Sequence, residues 1–306
     1  MKQSSAKNLC LLFVAALIWG TAFVAQSVGM DHIGPFTFNA VRSLVGGVAL
    51  IPVILFFNRR KSPQRRQTER ANRKTLLLGG VCCGLALGVA SCLQQVGIQY
   101  TTVGKAGFIT ALYIVIVPIL GPFFHKKVGV KLWVSVVVAI LGLYLLCMSG
   151  SLRLSWGDFL VLLCALCFSA HIMVIDYFSP KVDGVQMSCL QFFVAGIFSA
   201  VLMLAVEGVP DPHAVAISWM PILYTGVLSS GVGYTLQIIG QKGVNPTVAS
   251  LVLSLESVIS VLAGWVILNQ SMSAREVLGC VLMFGAIILA QLPERRKKAR
   301  LNETNA

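Results

Sequence analysis

Long apolar runs separated by short polar stretches set the rhythm of this chain. A helix needs about 20 predominantly apolar residues to cross the hydrocarbon of a bilayer. Ten runs of roughly that length occur, at about 9–28, 36–57, 75–95, 104–124, 131–149, 157–176, 187–206, 218–239, 247–267 and 275–292. The longest connection, about 58–74, is far shorter than the ~50 residues of the smallest ordinary domain, so no catalytic domain is expected outside the membrane. The runs also read as five followed by five more. Five being odd, the second set enters from the opposite side, giving the inverted repeat from which many secondary transporters are built, with the solute site near the midplane. The expected fold is an all-α integral membrane protein of ten transmembrane helices, arranged as two inverted five-helix repeats.

Simple offsets support the repeat. An offset of 149 carries Ala16 and Leu17 onto Ala165 and Leu166, Gly47 onto Gly196, and Arg42 onto Gln191. An offset of 143 carries Leu93, Gln94 and Gly97 onto Leu236, Gln237 and Gly240, Ala106 onto Ala249, Leu112 onto Leu255, Gly121 onto Gly264, and Gly142 onto Gly285. The change of offset falls between the second and third runs, where the basic connection 58–74 has a shorter counterpart, and loops tolerate such differences.

Composition agrees: of 306 residues 57% are hydrophobic and 11% charged, against about 25% charged in soluble domains, and mean hydropathy is +0.83. The net charge of +13 raises the question of a nucleic-acid partner. The placement of the 24 Lys and Arg answers it. With a cytoplasmic N-terminus, twenty lie inside, eight of them between Arg59 and Lys74, whereas Lys105, Arg153 and Arg275 lie outside and Arg42 sits within a helix. That split is the positive-inside rule; both termini are expected in the cytoplasm, and no nucleic acid is expected. The segment 59–74 lacks interleaved aromatics and suits anionic lipid headgroups, at about 1 kcal/mol per charge near the surface. The first run follows Lys2 and Lys7 like a signal peptide, but its apolar stretch is too long for one and its removal would break the repeat, so it is read as an uncleaved helix. The nine cysteines lie in or beside apolar runs as small fillers; Cys164 and Cys167 have redox-motif spacing inside an apolar helix, and no disulfide is expected.

Several motifs carry a resemblance. Trp19-Gly20-Thr21 in the first run, Phe38-Asn39-Ala40-Val41-Arg42 in the second, Ala106 to Tyr113 through Pro118 in the fourth and Ala249 to Glu256 in the ninth resemble the EamA-like branch of the drug/metabolite transporter superfamily. The resemblance covers about 9–148 and 157–291, one repeat each. Where many members carry an acidic residue and a proline together in the ninth helix, Glu256 is followed by Ser257, and the usual Gly-Glu after that helix reads Asn269-Gln270. The resemblance implies a ten-helix carrier that moves small metabolites, often outward, without ATP.

Two charges lie well inside apolar runs, and intramembrane charges usually face a cavity or a partner. Glu256 lies roughly 15 Å deep at 1.5 Å per residue, on a polar stripe with Ser257 and Ser260. It reads either as a site for a proton or a cationic solute, or as a buried carboxyl hydrogen-bonded between helices. Arg42 lies only about 9 Å from its helix end, near enough to snorkel; it either caps carbonyls or pairs with an acid, or it belongs to the permeation path. Their counterparts are Gln191 for Arg42 and Tyr113 for Glu256, so the halves match in scaffold and differ in charge. Gln94 and Gln237 occupy equivalent positions and serve either as paired gates or as packing hydrogen bonds. His171 is a candidate proton relay or a structural histidine, and Trp19, Tyr113 and Tyr234 are candidates for an aromatic pocket.

An integral membrane enzyme is a weaker reading. His171 and Asp176 share the His-x4-Asp spacing of some acyltransferases, but residues five apart on a helix are about 140° out of register. No nucleophile elbow, HExxH motif or Walker loop is present, so no cofactor and no metal is expected. The sequence thus points to a secondary-active transporter of small metabolites or amino-acid-like solutes in a bacterial-type plasma membrane, an exporter by the family resemblance, monomeric or homodimeric, with proton coupling through Glu256 as a hypothesis. A facilitative channel or a membrane sensor is the alternative.

Overall fold

The structure is a computed structural model that describes residues 2–101, 103–124, 128–147, 155–259, 262 and 273–292. Among them there is no strand. The first half comprises α1 (Lys2–Gly29), α2 (Pro35–Arg59), α3 (Pro63–Ala71), α4 (Arg73–Ile98), α5 (Val103–Ala111), α6 (Tyr113–Leu120) with a 3₁₀ turn at Gly121–Phe124, and α7 (Val130–Cys147). The second comprises α8 (Trp156–Phe178), α9 (Gly184–Val206), α10 (Pro212–Ile217), α11 (Trp219–Leu223), a π-helical segment (Tyr224–Tyr234), α12 (Thr235–Gln241), the apolar helix α13 (Pro246–Ile259), whose first part ends at Leu253 with a turn at Ser254, and α14 (Ala274–Gln291). Among the described residues seven segments are long and apolar enough to cross a membrane: Ala6–Phe23 of α1, α2, α4, Ala106–Phe124, α8, α9 and Trp219–Gln241; Val130–Leu146 and Pro246–Ile259 are shorter apolar helices.

Three local features differ from a plain succession of apolar helices. The basic connection contains α3, which starts where Ser62 Oγ accepts from Arg65 N at 3.4 Å and Pro63 takes a first-turn position, a pairing that suits helix N-termini. The fourth apolar run is interrupted at Leu112, whose N–H reaches back only three residues to Ile109 O. The eighth run has eleven π-helical residues at its centre, a wide coil usually confined to single turns at functional positions. Of the expected stretch 247–267, the part beyond Ile259 lies outside the described residues except Leu262, and with it Ser260.

The packing repeats itself by exchange. α2 lies along α9, and α7 along α14. α1 packs on α12 and the π-segment as α8 packs on α4; α2 meets the π-segment as α9 meets α4; α1 meets α13 as α8 meets α5 and α6. At the sequence offsets, each of these contacts maps onto its partner, as a pseudo-two-fold between the halves demands. The closest approaches use glycine. A Cβ on Gly46 of α2 would lie 2.8 Å from Ser230 Cβ and 2.9 Å from Gly226 O in the π-segment, and small residues let helix backbones approach this closely in membranes.

Charge separates along the helix axes. At one end, Asn8 Nδ2 donates to Lys242 O (2.7 Å), Asn72 Nδ2 to Lys181 O (3.2 Å), and Lys61 and Arg65 both reach Asp183 (3.2 and 3.3 Å). At the other, Glu207 accepts from Phe36 N and Thr37 N, both at 2.8 Å, and so caps α2 where Gly34 has no side chain to do so. Asp158 in its capping box at the start of α8, and Glu276 in the equivalent box starting α14, share that second end.

Because backbone and a Cβ bearing a side chain cannot move cheaply, Gly46→Val is expected to destabilise the protein by about 1–3 kcal/mol. Gly285→Val in α14, where a Cβ meets nothing within 4 Å, is expected to stay within about 0.5 kcal/mol. Thermal unfolding of the two variants side by side in detergent checks the difference.

Candidate functional site

α1 presents Trp19, Phe23 and Gln26 on one face, at positions i, i+4 and i+7. Arg42 on α2 is 7% exposed and turns inward, its Nη1 donating to Gln26 Oε1 at 2.9 Å. It does not snorkel to the helix end. Nor does it pair with a carboxylate among the described residues, where the salt bridges join Lys61 and Arg65 to Glu69 and Asp183. Its planar fork also stands 5.6 Å from the centroid of Phe38, a distance at which a ring face attracts a cation. Gln26 is itself held, because Gln95 Nε2 donates to its backbone oxygen at 3.2 Å. Asn39, one turn before Arg42, donates to Ser91 O at 3.0 Å and ties α2 to α4.

Glu256 on α13 is 6% exposed. Tyr113 Oη donates to its Oε1 at 3.2 Å. The two residues are repeat counterparts, so this bond crosses the pseudo-two-fold and places both side chains beside the axis. α1 passes directly behind: a Cβ on Gly20 would meet Glu256 O at 2.7 Å.

Aromatic rings fill the space between. Tyr234, at the end of the π-segment, has its ring centroid 4.5 Å from that of Trp19, 5.6 Å from Phe192 and 5.9 Å from His171. Trp19 Nε1 donates to Ser229 O at 3.1 Å, satisfying a carbonyl of the π-segment. Tyr234 stands within electrostatic reach of both Arg42 and Glu256. Gln94 Nε2 donates to Thr110 Oγ1 at 3.2 Å, whereas Gln237 Oε1 is buried without a partner among the described residues. His171 is fully buried behind Tyr234, its Nε2 3.1 Å from Gln191 Oε1.

Seven of the eight residues singled out in the sequence line one cavity: Trp19, Arg42, Gln94, Tyr113, Tyr234, Gln237 and Glu256. His171 is the exception. The void is about 50 Å³, room for a few waters at about 10–15 Å³ each. Gln94 and Gln237 both face this space. Sequence reasoning missed Gln26, Phe23, Thr110, Phe168, Ile172, Ser229 and Leu253 of the lining. The spacing from Trp19 to Gln26 was a signal for the first two, and the repeat offset carries Trp19 and Phe23 onto Phe168 and Ile172.

The sequence and fold have known relatives. The EamA-like transporter family model matches residues 6–148 and again 155–292. The chain belongs to the EamA-like transporter family. It is 29% identical over 286 residues to an uncharacterized transporter of Archaeoglobus fulgidus, covering 92% of this chain and 84% of that one. It is 24% identical to the uncharacterized transporter YoaV of Bacillus subtilis (92% and 96% covered) and 21% identical to the uncharacterized inner membrane transporter YedA of Escherichia coli (92% and 89%). A solved crystal structure superposes with a TM-score of 0.76 at 17% identity, over 94% of this chain and 96% of that one; this likeness concerns the fold.

Within this EamA-like chain the cavity obeys the repeat. Trp19 and Phe168, Phe23 and Ile172, Gln94 and Gln237, Thr110 and Leu253, and Tyr113 and Glu256 are counterparts at the two offsets, and all ten line it. The cavity therefore sits on the pseudo-two-fold. Only the glutamine pair is the same in both halves. The chemistry is carried by the departures: Arg42 opposite Gln191, Glu256 opposite Tyr113, and Tyr234 opposite Ser91.

Removing the acceptor of a buried guanidinium is costly, so Gln26→Leu is expected to lose about 1.5–3 kcal/mol, the worth of a hydrogen bond to a charged group. Gln26→Glu, which keeps an acceptor, should retain most of it. Tyr113→Phe should lose only about 0.6 kcal/mol, the usual value for one hydrogen bond between membrane helices. Thermal unfolding of the three purified variants orders them.

Proposed function

We propose that this protein is a secondary-active exporter of small polar metabolites, amino-acid-like solutes among them, that works by alternating access in a plasma membrane. In this reading the chain crosses ten times as two inverted five-helix repeats, with both termini and the basic ends of the helices in the cytoplasm. The observation that carries it is a cavity on the pseudo-two-fold that brings together two buried charges from different halves, Arg42 and Glu256, with aromatic rings between. A guanidinium at one place and a carboxyl at another suit a solute that carries an anionic and a cationic group, and the rings of Trp19 and Tyr234 suit its apolar or cationic part.

The size of the void favours a carrier over a static pore. Sites for small molecules commonly enclose about 300–1,000 Å³, against about 50 Å³ here, so loading requires the helices to part. The π-segment and the interruption at Leu112 lie beside the cavity, where backbone that is not fully committed to α-helix can change at low cost. Glu256, within reach of Tyr113, is the residue assigned to proton coupling: it accepts a proton when solute leaves and releases it when solute binds.

Purified protein in liposomes, tested for uptake and counterflow over a panel of amino acids and metabolites with and without a pH gradient, checks this reading. Saturable flux of at least one solute, accelerated severalfold by the gradient, is expected, and Glu256→Gln should abolish the acceleration. Saturable flux unmoved by pH would reduce the protein to a facilitator and Glu256 to a solute or packing contact. Unsaturable conduction would identify a channel, and ligand-induced stabilisation without any flux would identify a sensor.

A further inference from the structure

We infer that the basic end of the bundle carries a binding site for the phosphate headgroup of an anionic phospholipid, in a groove between the end of α2, the short helix α3 and the start of α4. Arg59, Arg66, Arg70 and Arg73 line one open space of about 500 Å³. Arg66 and Arg70 stand one turn apart on α3 and Arg73 begins α4, and all three line this one space. The one acid in the lining, Glu69, is already engaged: Lys61 Nζ approaches it at 2.8 Å, Arg65 Nε at 3.2 Å and Gln186 Nε2 at 3.2 Å. Arg66 donates to Asn58 O at 2.8 Å, and each guanidinium has five N–H donors, so most of its capacity is left. Arg59, Arg70 and Arg73 make no ion pair among the described residues. Four guanidinium groups around one opening, with their internal acid spent, form a field that only an added anion balances.

The occupant is a lipid rather than a soluble anion because of what flanks the groove. Leu55 and Leu76 line its floor, and Leu55, Leu77 and Leu78 are 56%, 46% and 57% exposed on the faces that continue along α2 and α4. An acyl chain laid along those leucines brings its phosphodiester to the arginines, which bind phosphate through paired N–H donors. α3 buries none of its residues, so its place is held by the Lys61, Arg65, Glu69 and Asp183 network at one edge. A headgroup would secure the other edge.

The test mixes detergent-purified protein with equal amounts of phosphatidylglycerol and phosphatidylcholine of matched chains and quantifies retained lipid by native mass spectrometry. The wild type is expected to hold the anionic lipid about tenfold over the zwitterionic one, in keeping with the attraction of basic clusters to anionic headgroups. Arg59→Gln/Arg66→Gln/Arg70→Gln/Arg73→Gln should bring the ratio near one. The charge-matched control, Arg295→Gln/Arg296→Gln/Lys297→Gln/Lys298→Gln, should leave it unchanged. Arg70→Gln alone should lower it about twofold, which keeps the test alive if the quadruple variant does not purify as a single species. Equal retention of both lipids by the wild type, or equal loss in the control, would overturn the site. So would calorimetric binding of inorganic phosphate alone with displacement of the lipid, since that assigns the groove to a soluble anion. None of these readouts depends on transport.

Discussion

A backbone N–H or C=O left unpaired in hydrocarbon costs several kcal/mol, and the whole architecture follows from avoiding that cost. Lipid-facing segments are mostly α-helices whose own ladders satisfy their backbone groups, with Pro52 inside α2 an exception. Three longer departures lie in the interior. The π-segment, the break at Leu112 and the turn at Ser254 all lie against the central cavity, where other protein atoms take up the released carbonyls: Ser229 O accepts from Trp19, Pro221 O from Thr225 Oγ1, and Leu251 O from Ser254 Oγ. Irregular backbone at membrane depth is tolerated only where protein or a water-filled space covers it, and here it marks the site by its position alone.

The same constraint explains what was legible in the chain. Apolar runs of bilayer length are a statement about solvent, and the helices follow them because no other local structure closes its own hydrogen bonds in lipid. The interruptions within the runs left no comparable mark. Leu112 is itself a good helix former, and nothing in Tyr224–Tyr234 beyond its glycines and serines announces a wider coil; both depend on what packs behind them. α3 was legible in Ser62-Pro63, a cap set within a segment whose eight basic residues carry the stronger signal.

For the cavity, the residue types were readable and the pairings were not. Charged, amide and aromatic residues in apolar runs stand out, which is why Trp19, Arg42, Tyr113 and Glu256 could be named. That Arg42 would meet the amide of Gln26, and not a carbonyl or an acid, depends on how two helices face each other across 16 residues of chain. His171 shows the converse: a polar residue in an apolar run can be absorbed by a neighbour, here Gln191, and sit outside the cavity.

The cavity also shows how a duplicated scaffold escapes its own symmetry. Five counterpart pairs line it, so its walls are set by the repeat, and a perfectly repeated lining would present each solute with two identical half-sites. Two opposite departures prevent that. The first half alone contributes the guanidinium, through Arg42 where the second has Gln191, and the second half alone contributes the carboxyl, through Glu256 where the first has Tyr113. The hydroxyl that binds Glu256 comes from that same counterpart position, so the residue that breaks the symmetry is held by the one it replaced. Packing thus keeps the halves alike in scaffold, while charge makes the centre polar in one direction.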